Sequence, residues 1–305
     1  MLLLAAAAAA AALFATPATA PAAAPAAPNL KAVVFVLVDD WGYNDVGFRS
    51  TDLKTPTIDA LAATGVKLMS YYTQPICTPA RTALMTSRYP IRSGMWHNVI
   101  GVPAEPWGLP TNESTFAEGM RELGFSTHIV GKWHLGSYQN ASLPTSRGFD
   151  SQFGYLAGEE DYWTHVPGAP PGGGTSPGNF FDLQASTEMV QCQNGSYSAF
   201  LFEAVAENIV RNHDKAKGLF LYYAMQTVHS PLEAPDEWLA RCPVSAYPNP
   251  DRRTYAAMTL LADSAIHNLT LVLTAEGLMD DTVMVIAGDV RAQAICGCLC
   301  FTDLD

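Results

Sequence analysis

The chain has 305 residues, of which 49% are apolar, and it carries a formal net charge of −12 at pH 7. This length suffices for one large domain or two small ones, and the apolar fraction supports a sizeable core. The excess of 29 acidic over 17 basic residues argues against nucleic-acid binding, which requires a basic face. Any site for an anionic ligand must therefore be a local cluster of Lys, Arg and His.

Residues 1–28 are predicted to be a signal peptide followed by an Ala/Pro linker. The Ala- and Leu-rich start ends in Ala18-Thr19-Ala20, which is typical of a secretory signal. We therefore predict passage through the secretory pathway to an extracellular or lysosomal location. No later run is long and apolar enough to predict a membrane span. Four Asn-x-Ser/Thr sequons agree with this route, at Asn112, Asn140, Asn194 and Asn268.

The elements that follow alternate between strands and helices. An apolar, Val-rich run at 32–38 predicts a strand buried on both faces. Further strands are predicted at 126–130, 218–224 and 282–287, and helices at 55–65, 80–88, 115–124, 198–212 and 252–276. The Gly/Pro-rich stretch 166–179 predicts a surface loop. This alternation indicates an α/β protein with a largely parallel sheet.

The segment 77–81, Cys-Thr-Pro-Ala-Arg, is the most informative motif outside the strands. Thr78 can cap a helix and Pro79 suits its first position, so a helix is predicted to begin here. A helix N-terminus favours an anion, and Arg81 adds a fixed cation one turn on. Cys77 is therefore placed for chemistry on an anionic group, or to be a reactive thiol itself. The alternative is a buried or disulfide-bonded cysteine.

Polar side chains follow four separate apolar strands. If the strands are parallel, their carboxyl ends meet at one edge, where ligands bind in open α/β sheets. Carboxylates at this edge suit Ca²⁺ or Mg²⁺, although a lone histidine is as often structural as functional. An extended backbone would point Lys132 and His134 to the same side. The residues are Asp39 and Asp40 after the first strand, Lys132 and His134 after the second, His229 after the third, and Asp289 after the fourth.

Residues 71–89 resemble the signature of the type I sulfatases, Cys-x-Pro-x-Arg, and the most similar group is that of arylsulfatase B, the N-acetylgalactosamine-4-sulfatases. Ala80 and Ser87 stand where this family usually has Ser and Gly. Residues 38–47, 131–136 and 144–155 are similar to further motifs of the family. The resemblance extends from about residue 31 to residue 289. It implies an alkaline-phosphatase-like sandwich, in which a large, mostly parallel sheet lies between helices.

The resemblance also implies the chemistry. In this family the cysteine is oxidised to formylglycine, whose hydrate attacks sulfur, so a formylglycine-generating enzyme is an implied partner. The implied substrates are sulfated carbohydrates or aryl sulfates. By position, one Ca²⁺ would be bound by Asp39, Asp40, Asp289 and the residue made from Cys77. Arg81 and His134 would orient the hydrate, Lys132 would stabilise sulfate charge, and His229 would assist the leaving alcohol.

The end of the chain departs from the family. Val290 stands where the family has an Asn metal ligand, and residues 290–305 do not resemble it. We therefore predict a partial sulfatase catalytic domain at 29–289, incomplete at its C-terminus, and a non-family tail at 290–305. The leading hypothesis is a sulfuric ester hydrolase. The alternatives are a truncated, inactive relative and a phosphatase or phosphodiesterase of the same fold; Cys77 argues against the latter, whose members generally use Ser or Thr.

Overall fold

A computed structural model describes residues 30–96, 98–101, 105–168 and 180–290 of the chain. The predicted signal peptide and linker lie outside these residues. So do most of the predicted loop at 166–179 and all of the predicted tail except Val290.

The strands form one seven-stranded sheet in the order β5-β4-β3-β2-β6-β1-β7. Neighbours among β3, β2, β6, β1 and β7 are parallel, whereas β4 and β5 add an antiparallel extension at one side. The prediction of an α/β protein with a mostly parallel sheet is therefore confirmed. The strands are β1 Ala32–Val38, β2 Phe125–Gly131, β3 Ser151–Gly154, β4 Gln184–Ala185, β5 Glu188–Met189, β6 Gly218–Met225 and β7 Thr282–Gly288.

The register of the sheet explains why polar residues collect at one edge. β1 is buried along its whole length, as its unbroken apolar sequence predicts for a strand covered on both faces. Its last residue, Val38, pairs with Met225 of β6 and with Gly288 of β7. Ala224 of β6 pairs in turn with Gly131, the last residue of β2. The four strands therefore end at one level, and the residues that follow them lie at the same edge.

The helices lie where the sequence predicts them, with small shifts at their ends. The helix that precedes β2 begins with a complete capping box, in which the Thr115 hydroxyl and the Glu118 carboxylate each accept the other's backbone N–H. The longest helix packs against three of the others and supplies much of the main core. The helices are α1 Pro56–Thr64, α2 Cys77–Thr86, α3 Phe116–Glu122, α4 Ser198–Arg211, α5 Asp236–Leu239 and α6 Pro250–Ala275.

The start of α2 differs from the prediction. The helix begins at Cys77 itself, after Ile76, and has no side-chain cap, so the capping role predicted for Thr78 is wrong. The buried Thr78 hydroxyl instead donates to the carbonyl of His134 at 3.2 Å and accepts the N–H of Ile100 at 3.2 Å. Because those partners lie on other segments, Thr78 fixes the first turn of α2 against the chain that follows β2.

α6 meets the length and composition of a membrane-spanning helix, contrary to the expectation that no later run would do so. However, 67% of its most apolar window is buried inside the protein, and its buried residues belong to the main core. A helix that faced lipid would expose that surface instead. We therefore interpret α6 as the core helix of a globular domain.

Candidate active site

Asp39 lies at the floor of the candidate site, at the end of β1, and is fully buried. Its Oδ2 accepts a hydrogen bond from Lys132 Nζ at 2.7 Å, and Arg81 Nη2 lies 3.2 Å from its Oδ1. Burial alone would raise the pKa of Asp39, but Lys132 and Arg81 hold it below its ordinary value. Burial alone would likewise lower the pKa of Lys132, yet Asp39 raises it above its ordinary value. The floor therefore holds charged groups at neutral pH.

Arg81, from the first turns of α2, connects Asp39 to Asp289 at the end of β7. Its Nε and Nη2 lie 3.0 and 2.9 Å from Asp289 Oδ2, and its Nη1 donates to the Lys132 carbonyl at 3.1 Å. Asp289 Oδ1 accepts the backbone N–H of Asp40 at 3.1 Å. Burial, and then the nearby charge of Asp39, raise the pKa of Asp289 to about 6. The carboxylates are thus crowded around one guanidinium group.

Cys77 stands at the first position of α2, with its Sγ 3.9 Å from Asp39 Oδ1. It is buried and forms no disulfide with any described residue. Burial raises the pKa of the Cys77 thiol to about 12, and Lys132 opposes this only in part. A thiol that stays protonated at neutral pH is a poor nucleophile. The environment therefore disfavours the reading of Cys77 as a reactive thiolate.

His134 follows Lys132 by two residues, but the backbone between them is not extended as expected. His134 takes a left-handed conformation, with φ 58°, so the two side chains do not simply share one side of a strand. Its Nε2 lies 2.8 Å from the Ile100 carbonyl and must donate to it. Burial, and then Lys132, lower the pKa of His134 well below its ordinary value. The ring is therefore neutral, and its buried Nδ1, which has no partner among the described residues, can accept a hydrogen bond.

His229 lies on the more open side of the site, after β6. Its Nδ1 donates to the Ser230 carbonyl at 2.6 Å, and its Nε2 is 3.6 Å from Asp40 Oδ2. Glu159 Oε2 lies 3.8 Å from Nδ1. Burial raises the pKa of Asp40 above its ordinary value, although His229 opposes this. Two carboxylates therefore flank the imidazole of His229.

Four side chains from three different segments could hold a cation together. Their ligand atoms all lie within 4.8 Å of one another. Asp289, a predicted ligand, is outside this group and contacts Arg81 instead. Burial is the main cause of the raised pKa values of Asp40 and Asp289, and a neighbouring carboxylate adds to each, so a divalent cation would favour their charged forms. A donor set rich in carboxylates fits Ca²⁺. The four are Asp39, Asp40, Cys77 and His229.

Val290 occupies the position where the family resemblance predicts an Asn ligand. Its side chain is buried and packs against Cys77 and Ala80 in a small apolar cluster. It offers no ligand atom, and it covers one side of the residue that the resemblance marks as the nucleophile. Valine at this position therefore lacks the ligand atom of the family's Asn and also places an apolar side chain beside Cys77.

Sequence reasoning did not anticipate Glu159 or the Ile100 carbonyl as parts of this site. Each comes from a segment outside the strand ends, and each is brought in by contacts across the fold. The only signal for Glu159 is its place in an acidic run, 159–161, shortly after β3. Such runs are usually solvated, so the sequence by itself does not distinguish it.

Comparison with known proteins gives matches over most of the chain. A family model described as "Sulfatase" matches residues 31–290. Arylsulfatase J of Mus musculus is 41% identical over 278 residues, which are 91% of this chain and 45% of that protein. Arylsulfatase A of Homo sapiens is 29% identical over 272 residues, 84% of this chain and 51% of that protein. The chain thus spans about half the length of these curated relatives.

Among solved structures, the chain is similar to Ps i-CgsB. The TM-score is 0.76 at 31% sequence identity, over 85% of this chain and 58% of that chain. A second structure of Ps i-CgsB, in complex with k-i-k-neocarrahexaose, matches with a TM-score of 0.75. A putative sulfatase from Bacteroides fragilis shares the fold at 19% identity, with a TM-score of 0.68. The fold predicted from the resemblance is therefore confirmed.

Proposed function

Because the chain belongs to the sulfatase family, we propose that it is a sulfuric ester hydrolase that uses a formylglycine made from Cys77. The substrates would be sulfate esters of sugars or aryl alcohols. The observation that carries this proposal is the setting of Cys77. It begins a helix 3.9 Å from Asp39, within a group that could hold a cation, beside the buried Arg81 and Lys132.

The position of each residue in the site indicates its role in the proposed reaction. Lys132 would stabilise negative charge on the sulfate, and because it is buried its charge acts in a medium of low polarity. The neutral His134 would accept a hydrogen bond at Nδ1 and, with Arg81, would orient the attacking group. His229, on the open side, would stand next to the leaving alcohol and transfer a proton to it.

Formylglycine and Ca²⁺, the two groups that the family resemblance implies, fit the side chains present in this site. Formylglycine would supply an attacking hydroxyl, and bound Ca²⁺ would offset charge on the sulfate oxygens. The calcium would be held by Asp39, Asp40 and the residue made from Cys77, with carboxylate oxygens as the main ligands. Asp289 would join them by exchanging its contact with Arg81 for the ion.

Partners and location follow from the same proposal. A formylglycine-generating enzyme would act on Cys77 in the secretory pathway, and the protein would be extracellular or lysosomal. Three sequons, Asn112, Asn140 and Asn194, are exposed and accessible to glycosylation. Asn268 lies within α6, where its amide donates to Glu203 of α4. The carbohydrate complex of Ps i-CgsB supports a sugar sulfate as substrate.

Hydrolysis of 4-nitrophenyl sulfate tests the proposal directly. The chain, co-expressed with a formylglycine-generating enzyme, is expected to turn over this sulfate in the presence of Ca²⁺, and the Cys77 peptide should carry the formylglycine mass. Cys77→Ala should lower kcat by at least about 10⁴-fold, because the nucleophile is lost. Cys192→Ala, which removes an exposed thiol, is the matched control and should leave kcat unchanged.

Two results would contradict this function. One is equal activity of the Cys77→Ala variant and the parent chain. The other is faster hydrolysis of 4-nitrophenyl phosphate than of the sulfate, which would favour the phosphatase alternative.

A second candidate function, binding of sulfated sugars without turnover, is favoured by one observation, the apolar packing of Val290 against Cys77. Calorimetry with Ca²⁺ separates the candidates, because a Kd in the micromolar range or lower for the parent chain would speak against an inactive metal site. Val290→Asn adds an amide oxygen beside Asp289 and is expected to tighten the Kd for Ca²⁺ about tenfold. Val283→Asn, a half-exposed position on β7, is the control and should not change it. If neither the parent chain nor Val290→Asn binds Ca²⁺, the proposed metal site is wrong.

A further inference from the structure

Residues 156–162, which we call the rim segment, pass beside both histidines of the site. The Asp182 carboxylate accepts the backbone N–H groups of Leu156 and Ala157 at 3.1 and 2.7 Å, which fixes the start of the segment. Gly158 lies so close to the His134 ring that a Cβ there would be 2.8 Å from it. The backbone of the rim segment is therefore held against the site.

The end of the rim segment is fixed on the His229 side. The Tyr162 hydroxyl lies 3.0 Å from the His229 carbonyl and 3.1 Å from that of Gln226. Gln226 in turn donates its side-chain amide to the Glu160 carbonyl. Held at both ends, the segment keeps Glu159 beside His229.

Glu159 is partly open to solvent and points toward the site. Its side chain is 27% exposed, and its Oε2 lies 3.8 Å from His229 Nδ1. Its Oε1 is close to Gly168, where a Cβ would approach to 2.7 Å. The carboxylate is not required to orient the imidazole, because Nδ1 already donates to the Ser230 carbonyl at 2.6 Å. At 3.8 Å it is beyond hydrogen-bond distance.

The surroundings of Glu159 reinforce its negative charge. Glu159 is followed by Glu160, which is buried and lies 3.5 Å from His165, and by Asp161, and residues 157–168 contain no Lys or Arg. Glu233 accepts the N–H of Tyr162, and burial, followed by the charge of Asp161, raises the pKa of Glu233 to about 6. The acids Glu159, Asp161 and Glu233 thus lie on this side of the site, whereas the buried cations Arg81 and Lys132 lie at the floor.

We propose that Glu159 is a specificity-determining residue that excludes anionic groups from the alcohol side of the sulfate ester. The inference rests on the proposed function, in which the leaving alcohol lies next to His229. A carboxylate there accepts hydrogen bonds from sugar hydroxyls and attracts an ammonium group, but repels a neighbouring carboxylate or second sulfate. The preferred substrates are thus sulfate monoesters whose alcohol is neutral and hydroxyl-rich, or cationic.

Binding of three aryl sulfates tests this without requiring turnover. The chain produced without a formylglycine-generating enzyme keeps Cys77, and its Kd values for phenyl, 3-carboxyphenyl and 3-(aminomethyl)phenyl sulfate are measured by calorimetry with Ca²⁺. The carboxylated sulfate is expected to bind about tenfold more weakly than phenyl sulfate, and the ammonium-bearing one more tightly. In Glu159→Gln the tenfold difference should shrink to about twofold. Glu122→Gln, an exposed acid on α3, removes the same charge elsewhere and should leave the difference intact.

The outcomes separate this inference from the proposed function. Equal discrimination by the parent chain and Glu159→Gln, or no binding of any of the three sulfates, overturns the role of Glu159. The expected order of Kd values without hydrolysis after Cys77 conversion leaves the role of Glu159 standing and contradicts the hydrolase. Hydrolysis after Cys77 conversion, without the expected difference between the Kd values, supports the hydrolase and contradicts the role of Glu159.

Discussion

Replacing Arg81 by Met is expected to lower the free energy of unfolding by about 3–5 kcal/mol. The Arg81 guanidinium is fully buried and lies 3.2 Å from Asp39 Oδ1 and 2.9 Å from Asp289 Oδ2. Met retains most of the volume but none of the charge. Among the described residues, Lys132 would then be the remaining cation beside the two buried carboxylates. Removing one partner of a buried ionic group costs more than the complete group contributes.

Urea denaturation, followed by circular dichroism, measures this change. The matched control is Arg88→Met, just after the end of α2. Arg88 is 61% exposed in its side chain and lies 3.4 Å from Glu113, and such surface pairs contribute little. The control is expected to change stability by no more than about 0.5 kcal/mol. A loss below about 1 kcal/mol for Arg81→Met would contradict the buried arrangement around Arg81.

Replacing Gly131 by Ala is expected to cost about 3 kcal/mol or more, because no space exists for a methyl group at the end of β2. A Cβ there would lie 1.9 Å from the Ala224 carbonyl oxygen, and φ at Gly131 is +103°. That oxygen already accepts the N–H of Lys132 at 3.0 Å, so it cannot move without displacing the lysine. The strain of the backbone and the overpacking therefore add.

Gly119 offers a matched control for this substitution. It lies inside α3, and a Cβ there would meet no atom within 4 Å. Gly119→Ala is expected to raise the free energy of unfolding by up to about 1 kcal/mol, because Ala is the better helix former. Equal effects of the two substitutions in a thermal or urea melt would contradict the close approach of β2 and β6.

The strands and most helices could be predicted from sequence because their patterns are local. The unbroken apolar run of β1 specifies a strand buried on both faces, and Thr115 with Glu118 marks the start of α3. The collection of Asp39, Lys132 and Asp289 at one edge also followed from sequence, since it requires only parallel strands that end at one level. The register of β1, β2, β6 and β7 meets that requirement.

Other features of the site could not be predicted. The cap expected of Thr78 is replaced by bonds to His134 and Ile100, because a buried hydroxyl takes whichever partners the fold brings near it. The extended backbone expected at His134 is a left-handed turn. Glu159 reaches His229 across 70 positions of sequence. These contacts depend on loop conformation, which short sequence patterns do not specify.

By itself, the sequence determined the class of the sheet, the edge at which polar residues collect and, through the motif at Cys77, the family. Only the tertiary structure decided which charges meet. It joined Arg81 to both Asp39 and Asp289, packed Val290 against Cys77 and set Glu159 beside His229. The physical reason is one of range: strand and helix patterns repeat over a few residues, whereas an ion pair forms between groups that the whole fold must bring within about 4 Å.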